Sequence, residues 1–299
     1  MNELVSVIIP TYKRSEMLPR AVKSVLEQSY KNIEVVVVDD NDPDSTWRKD
    51  TKERMLQFKN DGRVKYICHE KNKNGSVARN TGIKNSSGEI IAFLDDDDIY
   101  LPKKIEKQVA FLLEHSEYMA VYSGWIRGKQ TILPTHQGDL SFDILSGNNI
   151  IYTNVIMMWK KCAEEFGGWD ETFKRNQEAA FLLRFFDAGY KIGVVSTALV
   201  KFDVSDRSNA AANSIVNEQQ MMQLLNSYTK AIDRCEGIRK GNRKRIICSR
   251  KKGILLSYIK DKKYAKAKDV LLEMLCSYPG CFSLTLFKYS IKRLVGKNY

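Results

Sequence analysis

The chain has 299 residues, 43% of them apolar, which is enough for a sizeable core and excludes disorder as a global description. Its formal charge of +12 is unevenly spread: residues 239–299 hold 17 Lys and Arg against three Asp and Glu, whereas residues 1–238 hold 31 against 33. No apolar run approaches the roughly 18 residues of a membrane span, and Met1–Ser6 lacks a basic leader region, so neither an anchor nor a signal peptide is expected. The six cysteines show no Cys-x-x-Cys spacing and read as scattered reduced thiols. His69, His115 and His136 are isolated and read as surface residues.

In chain order, Leu4–Ile9 reads as a first strand broken at Pro10. Ser15 is placed to cap a helix running to about Ser29, with Pro19 tolerable in its first turn. Ile33–Val38 is an almost wholly apolar second strand ending in Asp39-Asp40, the pattern of a parallel strand buried on both faces. A helix near residues 46–59, a strand at Val64–Cys68 and a helix over Ser76–Asn85 follow. Gly88 turns the chain into the strand Glu89–Leu94. Pro102 opens a helix to about His115, and a strand follows near Met119–Trp125. This alternation predicts a doubly wound, mostly parallel α/β sheet. Ligands of such sheets bind beyond the carboxyl ends of the strands, so Thr11-Tyr12, Asp39-Asp40 and Asp95–Asp98 are expected to converge on one crevice.

The second part is less regular. Asp139–Ser146 reads as helix, Val155–Trp159 as strand, Asn176–Ala188 as helix and Ile192–Val200 as strand. From about residue 213 the pattern is helical, with Lys244–Tyr258, Tyr264–Cys276 and Phe282–Leu294 as a small array; the middle portion faintly resembles one tetratricopeptide-type hairpin. The domain expectation is 1–212 for the sheet domain and 213–299 for a basic helical region.

The run Asp95-Asp96-Asp97-Asp98 directly behind a core strand concentrates negative charge, and neighbouring carboxylates raise each other's pKa. A divalent cation such as Mg²⁺ or Mn²⁺, which takes carboxylate oxygens and shares its remaining positions with phosphates, is the economical counter-charge. A solvated acidic turn capping the next helix is the alternative.

Five segments in order carry a family resemblance: Val5–Arg14, Val36–Asp40, Asn74-Gly75-Ser76-Val77-Ala78-Arg79-Asn80-Thr81-Gly82, Phe93–Asp98, and Gly167-Gly168-Trp169-Asp170-Glu171 followed by Gln177-Glu178 and Arg184. Over roughly residues 3–205 this resembles the family 2 glycosyltransferases, inverting enzymes with the GT-A fold, of the type that builds bacterial surface polysaccharides. The resemblance implies a nucleotide-sugar donor, probed first as a UDP-sugar, and a glycan or lipid-linked acceptor. It implies that Pro10, Thr11 and Tyr12 hold the base, with Arg14 near the phosphates and Asp40 on the base; a turn cap is the other reading of Asp40. Arg79 is implied to point into the donor site, and a structural ion pair is compatible with that. Within the Asp-x-Asp motif the resemblance implies Asp97 as metal ligand, Asp95 as a second ligand or its support, and Asp96 as a ribose contact; Asp98 supports the loop or caps the helix at Pro102.

Inversion needs a base to take the acceptor hydroxyl's proton. The family places a carboxylate six residues before an Arg, which maps to Glu178 before Arg184. Asp is usual there, so Glu178 is a departure. Trp169 is implied as a sugar-stacking platform on the acceptor side, with core packing as the other reading, and Asp170 as a hydroxyl acceptor. Where many relatives carry a His, this chain has Phe202–Ser208, and the roles of Asp203, Asp206 and Arg207 stay open.

In the tail, basic residues interleave with Ile246-Ile247 and Ile254-Leu255-Leu256, and again over Phe282–Leu294. Basic amphipathic helices suit an anionic bilayer, so residues 239–299 are expected to dock a cytoplasmic protein on the inner face of the membrane. Two other readings compete with this one. A sugar nucleotidyltransferase usually opens with a Gly-rich loop, which Pro10–Arg14 lacks. A nucleic-acid-binding or anionic-surface-binding protein leaves the Asp run and Glu178 unexplained, and nucleic acid is not expected as a partner.

Overall fold

A computed structural model describes residues 2–205 and 213–278. Within them the chain forms two compact units, one of residues 2–140 with 151–205 and one of 141–150 with 213–278.

The first unit is built on one nine-stranded sheet. Its strands are β1 (Val5–Thr11), β2 (Ile33–Asp39), β3 (Val64–Cys68), β4 (Ile90–Phe93), β5 (Ile99–Tyr100), β6 (Ala120–Arg127), β7 (Gln130–Ile132), β8 (Ile156–Trp159) and β9 (Ile192–Phe202). The order is β3-β2-β1-β4-β8-β6-β9-β5, with β7 hairpinned onto β6. β3, β2, β1 and β4 run parallel, and β1, β2 and β4 are almost wholly buried, as their unbroken Val/Ile runs demand. The mostly parallel sheet expected from the sequence is present, and it also holds antiparallel pairs. β8 enters antiparallel between β4 and β6, so the Met119–Trp125 strand does not pair with β4. The residues Ile156-Met157-Met158 are all buried, which is why an insertion at the sheet's centre is stable.

Helices flank the sheet: α1 (Leu18–Leu26), α2 (Thr46–Met55), α3 (Gly75–Asn85) and α4 (Lys104–Glu114). α1 starts later than expected. Pro19 sits in its first turn and Met17 is the N-cap residue, so Ser15 does not cap it. Asn74 caps α3, its side chain accepting from the amides of Ser76 and Val77. Under α3, Gly82 is required: a Cβ there would lie 2.3 Å from Ile8 Cγ2. In the later part of the unit, α6 (Lys160–Glu165) and α7 (Gln177–Asp187) follow β8.

The second unit holds α5 (Ser141–Ser146), α8 (Ser214–Ser227), α9 (Thr229–Ile238), α10 (Asn242–Lys260) and α11 (Tyr264–Ser277). α10 and α11 form a hairpin over Ile254, Leu255, Tyr258, Ala267, Val270 and Met274. Arg250 satisfies the end of α5, donating to the Leu145 carbonyl at 2.5 Å and to that of Ile144, and burial pushes its pKa down to about 10. The apolar side of α10 therefore faces inward: Ile246, Ile254 and Leu255 are buried, and only Leu256 and Ile259 are well exposed. Lys251 pairs with Glu273 and Arg243 with Asp233. The apolar stripe expected to meet a bilayer is, over α10, mostly this unit's own core; Phe282–Leu294 lies outside the described residues. Cys248 is disulfide-bonded, which corrects the reading of all six cysteines as reduced thiols, while Cys68, Cys162 and Cys276 are free. Among the described residues no helix is long and apolar enough to cross a membrane.

Candidate active site

Sheet register builds the site. β1 and β4 pair with Ile8 opposite Phe93. Three residues further on each, Thr11 meets Asp96, its hydroxyl donating to Asp96 Oδ2 at 2.6 Å. Thr11 is also opposite Asp39 of β2, and its carbonyl accepts from the Asp40 amide at 2.9 Å. The three segments expected to converge thus do so through direct bonds.

Each carboxylate of the acidic run meets a different partner. Asp95 accepts from Arg79 Nη2 at 2.6 Å, and Arg79 Nη1 donates to Gln177 at 3.1 Å, tying α3 to the start of α7. Arg79 Nε is buried with no hydrogen-bond partner among the described residues. Asp97 accepts from Arg14 Nη1 at 2.5 Å, the same nitrogen lying 3.7 Å from Asp96. Asp98 accepts from the Asp203 amide at 2.7 Å and from the Asn154 side chain. Arg20 joins the Asp97 carbonyl to the Asp203 carboxylate at 2.5 and 2.9 Å. Asp203, whose role sequence left open, therefore stands beside the acidic run; Asp206 and Arg207 lie outside the described residues.

The electrostatics follow from burial. Asp96 is pushed up to about 7, first by burial and then by Asp97, against the bond from Thr11. Asp98 is pushed up to about 8 by burial and then by Asp95 and Asp97. Burial, and then Asp95, also raise Asp97. Asp203 is held down at about 2 by the Ser205 hydroxyl and amide and by Arg20. The run is short of positive charge, and its donor set is hard oxygen, which fits Mg²⁺ or Mn²⁺. Among the described residues no group of three or more His, Cys, Asp and Glu is arranged to hold a metal, because Arg79 and Arg14 take up the Asp95 and Asp97 carboxylates.

The remaining expected residues fall in three groups. Tyr12 is 39% exposed, with the Lys13 ammonium 4.9 Å over one face of its ring. Glu178 is half-buried at the start of α7, and its Oε1 accepts from the Thr153 hydroxyl at 3.0 Å. Arg184, the marker that located it, donates to the Phe166 carbonyl at 2.7 Å and so holds the turn before Gly167. Trp169 and Asp40 match the second reading given for each, core packing and a turn cap. Trp169 is 1% exposed, stacked on Phe181 at 4.2 Å with Arg79 over its ring at 4.8 Å, so it offers no free face as a sugar platform. It belongs to the core because Phe93 and Phe181 enclose it. Asp170 spends Oδ1 on the Thr172 amide and hydroxyl, at 2.9 and 2.6 Å.

Asp40 is buried, and its two oxygens take His69 Nδ1 at 2.7 Å, Asn72 Nδ2 at 3.0 Å, and the amides of Lys73 and Asn74 at 2.9 and 3.0 Å. Its acceptor positions are filled by the loop leading to α3, which matches the turn-cap reading. His69 is consequently buried between Asp40 and Thr81, not on the surface.

Thr153, Asn154 and Arg20 escaped the sequence reading. Arg20 lies in the helix predicted from Ser15 to Ser29 with nothing to set it apart, and Thr153 and Asn154 precede the predicted strand and are brought to the acidic run by β8.

The Glycosyl transferase family 2 model matches residues 6–163, more than half of the chain. The chain belongs to glycosyl transferase family 2. It is 33% identical over 222 residues to an uncharacterised glycosyltransferase of Rickettsia conorii, covering 64% of this chain and 36% of that protein. It is 40% identical over 113 residues to the Escherichia coli UDP-Glc:alpha-D-GlcNAc-diphosphoundecaprenol beta-1,3-glucosyltransferase WfgD, covering 38% and 42%. The chain thus spans between a third and a half of the length of these relatives. Its fold is GT-A and is similar to that of the mannosyltransferase PcManGT from Pyrobaculum calidifontis, solved with GDP-Man and Mn²⁺, with a TM-score of 0.61 at 17% identity over 98% of this chain and 81% of that one.

Proposed function

We propose that this family 2 member transfers a glycosyl group with inversion from a nucleotide sugar to a hydroxyl of a glycan or lipid-linked acceptor. The observation that carries the reading is the meeting, at the carboxyl edge of the sheet, of the acidic run, the Arg14 and Arg79 guanidinium groups and the Glu178 carboxylate. In this reading Tyr12 stacks on the base, and Arg14 and Arg79 face the diphosphate. Glu178 accepts the acceptor hydroxyl's proton as that oxygen bonds to the anomeric carbon. The carbon's bond to the diphosphate oxygen breaks, and its electron pair leaves with the nucleoside diphosphate.

Asp97 and Asp95 would hold a divalent cation, which supplies charge neutralisation on the leaving diphosphate. A UDP-sugar is the first donor to try, since the relative WfgD is named for UDP-Glc and for a GlcNAc-diphospholipid acceptor. Membrane association through the basic residues of 239–299 belongs to the same reading. Flotation with anionic vesicles tests it, and binding that survives deletion of the tail would remove it.

The deciding experiment is calorimetric titration with UDP, GDP, CDP and dTDP, each with and without Mn²⁺, followed by Glu178→Gln. Metal-dependent preference for one nucleotide is expected. Glu178→Gln keeps an acceptor for Thr153 but no base, so turnover should fall by about a hundredfold or more while nucleotide binding is spared. Unchanged turnover would reject Glu178 as the base.

A further inference from the structure

Two adjacent side chains reach both halves of the proposed chemistry. Thr153 and Asn154 are fully buried in a one-turn 3₁₀ helix, Thr153–Val155, that runs directly into β8. Thr153 donates its hydroxyl to Glu178 Oε1 at 3.0 Å. Asn154 Oδ1 accepts from the Asp95 amide at 2.9 Å, and its Nδ2 donates to the Asp98 carboxylate. One side chain therefore holds the carboxylate on α7, and the next holds both ends of the acidic turn. The turn carrying them is itself anchored: Gln108 of α4 donates to the Val155 carbonyl at 2.9 Å, and β8 is paired on both sides.

A Glu at the first turn of a helix has several staggered side-chain conformations open to it, and a fixed donor selects among them. Donors on loops would let base and acidic turn drift independently. Placing both on consecutive residues of a buried turn fixes their separation to the geometry of a single peptide unit. Burying a hydroxyl and an amide next to a core strand carries a desolvation cost that apolar residues of the same shape would avoid. Among the described residues, that cost is offset by bonds to the site.

Resting on the assignment of Glu178 as base, we propose that Thr153 and Asn154 are a positioning pair. Thr153 sets the base's orientation toward the acceptor, and Asn154 sets the acidic turn that receives the donor. Neither touches the reacting atoms.

Thr153→Val removes the hydroxyl and keeps the shape, so the melting temperature should stay close to that of the parent. The assay is UDP release from UDP-glucose, with water alone and with a short-chain GlcNAc-diphospholipid, beside calorimetric UDP affinity. Thr153→Val should lower kcat by about tenfold to a hundredfold, the value of one bond to a charged acceptor, with UDP affinity within about twofold. Thr153→Ser should restore most of kcat. In a Glu178→Gln background Thr153→Val should add nothing.

Asn154→Ala should instead weaken UDP binding by about tenfold. If that variant does not fold, the Thr153 series decides. Parent-like kcat in Thr153→Val, with Glu178→Gln inactive, overturns the pairing and leaves the base standing. Parent-like turnover in Glu178→Gln removes the base assignment itself, which is a different failure. An equal loss from Thr153→Val with and without Glu178 would place Thr153's effect elsewhere and overturn the proposal.

Discussion

Asp40 separates a scaffold from a ligand. Its carboxylate takes four donors at 2.7–3.0 Å, two of them the backbone amides of Lys73 and Asn74. Asn74 in turn caps α3, the helix that carries Arg79. Asp40→Ala leaves these donors facing an apolar void. A bond to a charged acceptor contributes about 1.5–3 kcal/mol, and such values within one network do not add. A cost of about 3–5 kcal/mol is therefore expected, which for a unit of this size lowers the melting temperature by roughly 10 °C. Asp40→Asn keeps the shape but turns an amide toward donors that need an acceptor, and should lose about half as much. Thermal unfolding measures the loss, and hydrogen exchange should show the Lys73 and Asn74 amides losing protection. Nucleotide affinity should fall in step with loop order. The opposite pattern would refute the reasoning: a melting temperature within about 2 °C of the parent, with UDP binding reduced a hundredfold, would make Asp40 a direct contact to the base, as the family resemblance implies.

Lys104 is fully buried, donating to Gln108 at 2.6 Å and lying 4.0 Å over the Tyr100 ring, and burial holds its pKa well below 10.5. Between its folded pKa and 10.5 the unfolded chain binds more protons than the folded one, so stability rises with pH by up to about 1.4 kcal/mol per unit. Denaturant unfolding followed upward toward pH 10.5 should show that rise in the parent and a flatter profile in Lys104→Met; parallel profiles would contradict the lowered pKa of the buried lysine. Gly82→Ala forces a methyl to 2.3 Å from Ile8 Cγ2 and should cost about 2 kcal/mol by overpacking α3 on β1, read from the same unfolding curves.

Much of the fold was legible because the signals are local. Unbroken Val/Ile runs mark β1 and β2. Glu178 was reached through the family resemblance, which places a carboxylate six residues before an Arg, here Arg184. What was not legible depends on distant packing. Met157 and Met158 read equally well as an edge or a centre, so the place of β8 between β4 and β6 was hidden. Trp169 reads the same whether it faces a sugar or Phe181, and only the enclosing aromatics decide. His69 looked solitary because its partners Asp40 and Thr81 come from β2's end and α3.

The acidic run shows why a motif can be plain in sequence while its support is not. Four successive carboxylates repel one another, and no local partner can relieve all of them. Here Asp95 is met from α3 by Arg79, Asp96 from β1 by Thr11, Asp97 by Arg14 just beyond β1, and Asp98 by Asn154 and the Asp203 amide. The partners span residues 11 to 203 and share no spacing. Their chemistry is also divided. Both guanidinium groups bond the more open carboxylates, Asp95 and Asp97, whereas the closest donors to the buried pair are Thr11 for Asp96, with Arg14 at 3.7 Å, and Asn154 and the Asp203 amide for Asp98. Burial then pushes Asp96 to about 7 and Asp98 to about 8, so the buried pair drifts toward neutrality near physiological pH. Their work is to hold the turn, and the bonds to Thr11 and Asn154 are how they do it. Asp95 and Asp97 are the carboxylates flanked by Arg79 and Arg14, the two arginines that a diphosphate would also seek.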